Sequence, residues 1–209
     1  MPLEIFEMGN QRAWALWRIS ESEAQIAELL RSSEPIPASI SNAEKRLEWL
    51  TGRLLTQSLL ESFNLPYTGI VKDAFGKPFV KNSPAHLSLT HSFPLVGAIL
   101  DQRHEVGIDL EQPKEKLLRV AARVLSPSEL SDAGSDIIKH CVYWCSKETL
   151  IKIHGRKDLT LSRDLIVQPF NLASEGNITG RIIVNAVERL IPLYYRIFKQ
   201  FVVVFNRDH

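Results

Sequence analysis

The stretch SDIIKHCVYWCSKETLIKIHG, from Ser135 to Gly155, constrains the fold more than any other part of the chain. Ser135 as a cap, Asp136 in the first turn and Gly155 as a stop predict one long helix. At about 100° per residue, its apolar face also takes in Glu148 and Lys152. Charged groups on a face that packs inside a protein need a compensating partner. The helix is therefore predicted to pack against a structure that meets these two charges.

The two sides of this predicted helix differ in composition. The apolar face consists of Ile138, Cys141, Val142, Cys145 and Thr149, with Ile137 and Trp144 on its flank. The polar side consists of Lys139, His140, Tyr143, Ser146 and Lys147. The two cysteines are the only ones in the chain, and CxxxC within one helix is not a redox motif. We interpret them as small apolar residues of a buried face.

Composition excludes several classes of protein. The chain has 209 residues, enough for one large domain or two small ones that share a core, and a formal net charge of +1. This near-neutral charge argues against a protein that binds nucleic acid or a membrane surface. The opening MPLEIFEMGN does not have the pattern of a signal peptide, and the most apolar stretch is interrupted by Lys199 and Gln200. A cytoplasmic protein with no nucleic-acid or membrane partner is the expectation.

Strand and helix patterns occur in comparable amounts in both halves. A strand is predicted at 13–20, and the chain becomes β-rich from the segment 68–80 onward, with strands at 86–92, 95–100 and 105–111. Paired strands are predicted within 180–206. Helices are predicted at 21–32, at 43–63 with Ser41 or Asn42 as cap, at 115–126 and at 135–155. The segment 126–136 is predicted to be a polar loop. This distribution predicts an α+β fold and allows two similar lobes.

The strand VGIDLEQP places Asp109 and Glu111 on the same face, because side chains two apart point the same way. Two carboxylates about 7 Å apart along a strand repel each other unless a cation or a proton lies between them. A hard divalent ion such as Mg²⁺ suits such oxygen ligands and also takes substrate phosphates. The alternative is a solvated acidic face at an exposed strand end, which is the usual explanation for an isolated DxE.

Glu148 adds a third carboxylate if the long helix crosses this strand. Lys152, one turn further along, would then reach a phosphate bound to the same cation. The alternative is a helical Glu–Lys ion pair, which is common and contributes little.

Two further motifs lie in the first half of the chain. In AFGKPF, Gly76 gives a turn, Lys77 offers a point charge for a phosphate and Pro78 fixes the chain beyond it. In HLSLTHS, His91 is predicted to bind a phosphate or a base edge, and the alternative is a half-buried histidine with a backbone partner. The hydroxyl residues of this strand share one face: Ser88, Thr90 and Ser92.

FGKPF, LSLTHS, VGIDLE and WCSKETLIK, in this order and spacing, resemble the motif set of the 4′-phosphopantetheinyl transferase superfamily. The resemblance is to its longer, surfactin-synthetase-activating type and covers roughly residues 40 to 160. The pair G-[IV]-D-x-E and W-x-x-K-E-x-x-x-K is specific, and Trp144, Lys147, Glu148 and Lys152 occupy the matching places. Many relatives have Ser where this chain has Thr90, which retains the hydroxyl.

The resemblance implies a role for each matching residue. Asp109, Glu111 and Glu148 would hold Mg²⁺, with Mn²⁺ as a substitute, together with the pyrophosphate of coenzyme A. Lys152 would contact the same phosphates. The nucleotide end of coenzyme A, with its 3′-phosphate, would be bound by Lys77, Pro78, Thr90, His91 and Ser92. An arginine of the preceding helix, Arg46 or Arg53, would join them.

The resemblance also implies the reaction. A serine hydroxyl of an apo acyl or peptidyl carrier protein would attack the β-phosphate of coenzyme A, and 3′,5′-ADP would leave. Glu148 would take the serine proton, directly or through a bound water, while Lys152 neutralises phosphate charge. Lys147 would stabilise the phosphate or contact the carrier.

Carrier proteins of this kind are acidic helical domains, so a basic and apolar docking surface is expected near the metal. The segment after Glu111 has this composition, with Lys114, Lys116, Arg119 and Arg123 interleaved with Leu117, Leu118 and Val120. The alternative is an ordinary amphipathic helix with a solvated basic side.

The resemblance further implies two similar lobes, an N-terminal lobe of residues 1–100 and a C-terminal lobe of residues 101–209. The active site would lie in the cleft between them, and the longer type would act as a monomer. Two alternatives stay open: a non-catalytic module that binds coenzyme A or a carrier protein, and another metal-dependent phosphate enzyme. Both are less favoured, because all the motif residues are present and no Gly-rich phosphate loop is found.

Overall fold

Two antiparallel sheets, each packed against a long helix, are seen in the computed structural model, which describes residues 3–31 and 34–207. The chain divides into two units, Met1–Val106 and Gly107–His209. This mixture of helix and sheet confirms the predicted α+β class. The similarity of two lobes, their predicted bounds and the cleft stay predictions.

In its described residues, 3–31 and 34–106, the first unit contains six strands and two helices. They are β1 (Leu3–Met8), β2 (Arg12–Arg18), α1 (Glu23–Leu29), α2 (Ala43–Ser62), β3 (Ile70–Lys72), β4 (Pro78–Val80), β5 (His86–Ser92) and β6 (Leu95–Asp101). The strands lie in the order β1-β2-β6-β5-β4-β3, and every neighbouring pair is antiparallel.

Helix α2 packs on the centre of this sheet, against β6, β2 and β5. Asn42 caps it, because its side chain accepts a hydrogen bond from the Lys45 backbone at 3.0 Å. The leucines at 50, 54, 55 and 59 are buried and form the core with Leu87 and Leu100 of the sheet. The sequence prediction for 43–63 is confirmed, with Asn42 rather than Ser41 as the cap.

The described part of the second unit, residues 107–207, contains four helices and five strands. They are β7 (Ile108–Glu111), α3 (Lys116–Val124), α4 (Pro127–Ala133), α5 (Ile137–His154), α6 (Leu161–Asp164), β8 (Leu165–Val167), β9 (Glu175–Val184), β10 (Val187–Phe198) and β11 (Phe201–Asn206). The strands lie in the order β7-β11-β10-β9-β8, so β7 is an edge strand.

Helix α5 lies directly on this sheet because Gly107 leaves room for it. A Cβ at Gly107 would lie 2.5 Å from the Thr149 carbonyl oxygen and 2.9 Å from a side-chain carbon of Ile153. The helix ends at Gly155, which has a φ of 79° and donates its backbone N–H to the Ile151 carbonyl at 2.7 Å. The close contact fixes the height of α5 above the strand that follows Gly107.

Several elements differ from the sequence predictions. The segment 126–136 is not a loop, since it contains α4, which begins with a capping box between Ser126 and Glu129. Asp136, rather than Ser135, caps α5 through bonds to the backbones of Ile138 and Lys139. β1, α6 and β8 were not predicted.

The predicted strand 13–20 and the paired strands within 180–206 are confirmed as β2 and as β9, β10 and β11. The predicted helix 21–32 is confirmed as the shorter α1, while its last residue, Ser32, lies outside the described residues. Among the helices of residues 3–31 and 34–207, none has the length and apolar character needed to cross a membrane.

Candidate active site

The edge strand β7 presents Asp109 and Glu111 beneath helix α5. They pair with Val204 and Val202 of β11, and all four side chains share one face of the sheet. Thr149 donates its hydroxyl to the Val204 carbonyl at 3.1 Å, which shows that α5 covers this face. Asp109 is buried and Glu111 is half-buried, so the acidic face lies at the edge of the contact between helix and sheet.

Lys152 joins α5 to β7. Its ammonium donates to Asp109 Oδ1 at 2.8 Å and to the Ile108 carbonyl oxygen at 2.7 Å. Glu148 lies one turn earlier on the same helix. The structure therefore places the predicted residues Asp109, Glu148 and Lys152 within one small region of the second unit.

Glu148 experiences the negative charge of the strand. Its pKa is raised, first by burial and then by Asp109, with Glu111 adding to the rise, while Lys152 lowers the pKa. Such a carboxylate gains from a nearby cation. The three carboxylates offer only oxygen atoms, which is the donor chemistry of a hard divalent ion. Among residues 3–31 and 34–207, no three or more histidine, cysteine, aspartate or glutamate side chains are grouped so that they could hold a metal ion.

Helix α5 is covered on most of its surface, which corrects the predicted division into an apolar and a polar side. Three residues assigned to the polar side, Tyr143, Ser146 and Lys147, have no exposed side chain, and His140 is almost fully buried. Among the partly exposed residues of the helix, one stripe is formed by Ile137, Trp144, Glu148, Ile151 and Lys152. Glu148 and Lys152 thus lie on the open side of the helix, beside the strand edge.

The predicted exposure of Lys147 is the clearest error, because its side chain is fully buried. Its ammonium lies 2.7 Å from Glu129 Oε2 and donates to the carbonyl oxygens of Leu161 at 2.8 Å and Leu165 at 2.5 Å. The lysine has three donors, and all three are used inside the unit. Lys147 therefore holds the fold together at this point and has no hydrogen to offer a phosphate or a carrier.

Glu129 is a residue that the sequence reasoning missed. Its carboxylate also accepts backbone hydrogen bonds from Ser126 at 2.6 Å and from Val167 at 2.7 Å. It thereby connects α4, α5 and β8 through one buried group. The sequence did contain a signal for it, since Ser126-Pro-Ser-Glu129 has the spacing of a capping box.

In the first unit, Lys77 stands at the end of a tight loop between β3 and β4. Asp73 Oδ1 accepts the backbone N–H groups of Phe75 and Lys77, each at 2.9 Å. The backbone of Asp73 also donates to the Lys77 carbonyl at 3.1 Å and accepts from Gly76 at 3.1 Å. Asp73 therefore fixes the backbone that carries Lys77, and Pro78 opens β4 directly after it.

His91 lies on β5 and reaches helix α2. Its Nδ1 lies 3.2 Å from Glu48 Oε2, and the ammonium of Lys45 lies 2.6 Å from the same oxygen. The His91 side chain is 52% exposed, whereas Glu48 is buried. Thr90 is buried and Ser92 is half-buried on the same strand. The sequence reasoning missed both Lys45 and Glu48.

Comparisons with known proteins identify the family. The family model described as the 4′-phosphopantetheinyl transferase superfamily matches residues 105–201. The 4′-phosphopantetheinyl transferase ffp of Bacillus subtilis is 30% identical over 161 residues, which are 72% of this chain and 67% of the relative. The chain belongs to the 4′-phosphopantetheinyl transferase superfamily.

Two other members of the superfamily are similar over shorter stretches. The transferase psf-1 of Bacillus pumilus is 32% identical over 143 residues, 64% of this chain and 59% of the relative. The transferase AcpT of Salmonella typhi is 28% identical over 119 residues, 53% of this chain and 60% of the relative. The chain thus spans about three-fifths to two-thirds of the length of these three curated relatives.

The match to the superfamily model falls almost entirely within the second unit, Gly107–His209. It includes β7 and α5, and hence Asp109, Glu111, Glu148 and Lys152. The predicted nucleotide-binding residues of the first unit lie outside this match.

The two arginines named as candidates for binding the nucleotide end are both engaged with carboxylates. Arg46 makes two bonds to Glu23, at 2.5 and 2.8 Å. Arg53 donates to Glu34 at 3.1 Å and stacks on the Trp49 ring at 3.3 Å from its centroid. The choice between them stays a prediction, and Lys45 is the cation of α2 that shares a partner with His91.

Proposed function

We propose that this protein transfers the 4′-phosphopantetheine group of coenzyme A to a serine of an apo acyl or peptidyl carrier protein, releasing 3′,5′-ADP in a magnesium-dependent reaction. The observation that carries the proposal is the grouping of Asp109, Glu148 and Lys152 between β7 and α5 in a member of this superfamily. The names of the relatives, each a 4′-phosphopantetheinyl transferase, support the same activity.

Asp109, Glu111 and Glu148 are the residues that would hold Mg²⁺ or Mn²⁺. When bound there, the ion supplies charge neutralisation at the pyrophosphate of coenzyme A. Lys152 contributes a positive charge on the same side of α5 and donates hydrogen bonds to phosphate oxygens. Glu148, whose pKa is raised by burial and by Asp109, is suited to accept the proton of the attacking serine.

The nucleotide end of coenzyme A is assigned to the first unit. Lys77 and His91 supply charge and hydrogen-bond donors for phosphate groups, with Pro78, Thr90 and Ser92 lining the site and Arg46 or Arg53 as a further cation. Lys147 is left out of this set because its ammonium is used entirely by Glu129 and two carbonyls.

Helix α3 is proposed as the docking surface for the carrier protein. It begins five residues after Glu111 and exposes Lys116, Leu118, Arg119 and Arg123, while Leu117, Ala121 and Val124 are buried. An exposed basic face with one exposed leucine fits an acidic helical partner. Action as a monomer in the cytoplasm, without nucleic acid or membrane, belongs to the same proposal.

Intact-mass spectrometry tests the activity. The protein is incubated with coenzyme A, Mg²⁺ and a panel of apo carrier proteins, beside a sample with EDTA. A gain of one phosphopantetheine on a carrier, absent with EDTA, is the expected result. Binding of coenzyme A without transfer to any carrier would favour a binding module, and release of phosphate from coenzyme A without transfer would favour another phosphate enzyme.

Replacing Asp73 with alanine is expected to raise the KM for coenzyme A about tenfold while kcat changes less than about twofold. The reason is that Lys77 loses the backbone bonds that position it, and removal of uniform substrate binding raises KM alone. The measurement is steady-state transfer at varied coenzyme A concentration. Asp73→Asn is the matched control, because its amide oxygen still accepts both N–H groups, and it should behave like the wild type. Equal losses in both variants would contradict the positioning role.

A further inference from the structure

Lys152 holds a position in which its charge neutralises the acidic strand. Two of its three N–H donors point into β7, one to Asp109 Oδ1 at 2.8 Å and one to the Ile108 carbonyl at 2.7 Å. The Lys152 side chain is 27% exposed, so it lies at the border between the helix–sheet contact and solvent. In this arrangement Lys152 and Asp109 form a direct ion pair at the edge of the sheet.

The Asp109 carboxylate cannot bind the Lys152 ammonium and a divalent cation at the same time without placing two positive charges side by side. A cation bound at Asp109 would lie within a few ångströms of the lysine, and like charges at that separation repel each other strongly near a protein surface. The lysine side chain is long and attached to the last turn of α5, so rotation of its stem is enough to release Asp109. Displacement of the lysine therefore requires no change in the backbone.

We propose that Lys152 is the counter-ion of Asp109 in the metal-free protein and that a divalent cation displaces it from this carboxylate. This inference rests on the proposed function and deepens it. Lys152 is turned toward phosphate only once the cation is bound, so metal and phosphate binding are coupled. Without the cation, Lys152 stays on Asp109, and the protein binds pyrophosphate groups weakly.

A second lysine provides a matched control for simple loss of charge. Lys157, in the loop after α5, is exposed and acts electrostatically on Glu148 in the same direction as Lys152. The hydrogen bonds to Asp109 Oδ1 and the Ile108 carbonyl come from Lys152. Removing Lys157 lowers the positive charge near the site without releasing these bonds.

The experiment measures the binding of Mn²⁺ alone, in the absence of coenzyme A, by the electron paramagnetic resonance signal of the free ion. The wild type, Lys152→Met and Lys157→Met are compared. Lys152→Met is expected to bind Mn²⁺ about tenfold more tightly than the wild type. Lys157→Met is expected to change the affinity less than about threefold. Lys152→Gln is a second variant that should shift in the same direction, and circular dichroism checks that each variant is folded.

Unchanged or weaker Mn²⁺ binding by Lys152→Met would overturn the inference, as would an equal gain in Lys157→Met. Absence of Mn²⁺ binding in every folded variant would overturn it as well. The readout is independent of the transferase reaction. A tenfold gain in a protein that transfers nothing would support the exchange and reject only the proposed activity, whereas transfer without the gain would reject only the exchange.

Discussion

Glu148→Gln is expected to lower the rate of phosphopantetheine transfer by about a hundred- to a thousandfold. The amide keeps the shape of the side chain but loses the negative charge that would hold the cation and accept the serine proton. Single-turnover transfer to an excess of carrier, followed by intact-mass spectrometry, measures the loss. Glu188→Gln is the control, because it removes an exposed carboxylate of the β9–β10 hairpin that pairs with Arg181, and transfer should be unchanged.

The same substitution should stabilise the metal-free protein, which separates loss of chemistry from loss of fold. The pKa of Glu148 is raised above its ordinary value of 4.5, first by burial and then by Asp109. Between the ordinary and the raised pKa, the folded protein binds more protons than the unfolded chain. Stability therefore falls as the pH rises through this window, and the neutral glutamine removes that fall.

Urea unfolding in EDTA at a series of pH values provides the measurement. The wild-type midpoint should decline across the window above pH 4.5 relative to that of Glu148→Gln, and the two should meet at lower pH. A variant that unfolds more easily than the wild type at neutral pH would show that Glu148 is chiefly structural. A variant that stays fully active would exclude it from both proposed roles.

The strand and the helix that carry the candidate site could be predicted from the sequence, because strand alternation and helix-ending residues are local patterns. Alternation along 105–111 predicted β7, and the terminal glycine predicted the end of α5. Glu148 lies close enough to Asp109 for that carboxylate to raise its pKa, while the shared role of the two in holding a metal stays a prediction. Local periodicity also identified α2 and the final strands.

The wrong predictions of exposure arise where a segment distant in the sequence packs on a surface that local periodicity predicts to be exposed. Helical periodicity assumes one buried face, but α5 also contacts α3, α4 and β8, so its predicted polar side is buried. Lys147 and Glu129 meet only because α4 folds back onto α5. Likewise, Glu48 and His91 are far apart in the sequence and come together only when α2 packs on the sheet. Neither the Lys147–Glu129 pair nor the Glu48–His91 pair follows from the periodicity of the sequence.

Lys147→Met is expected to lower the free energy of unfolding by about 3–5 kcal/mol, because it leaves the Glu129 carboxylate buried without its cation. Lys147 and Glu129 have almost no exposed side-chain surface, and burial lowers the pKa of Lys147 although Glu129 opposes that shift. Glu129 also accepts the backbone N–H groups of Ser126 and Val167. Loss of the lysine therefore affects the junction of α4, α5 and β8.

Chemical unfolding followed by circular dichroism measures this loss, and two comparisons interpret it. Arg119→Met breaks an exposed ion pair with Glu115 and should cost less than about 1 kcal/mol. The double variant Lys147→Met with Glu129→Gln should lose less than the sum of the single variants, because no isolated charge then remains buried. A Lys147→Met protein with wild-type stability but without transfer would instead place the Lys147 ammonium among the groups that contact phosphate or carrier, and would contradict its assignment to the fold.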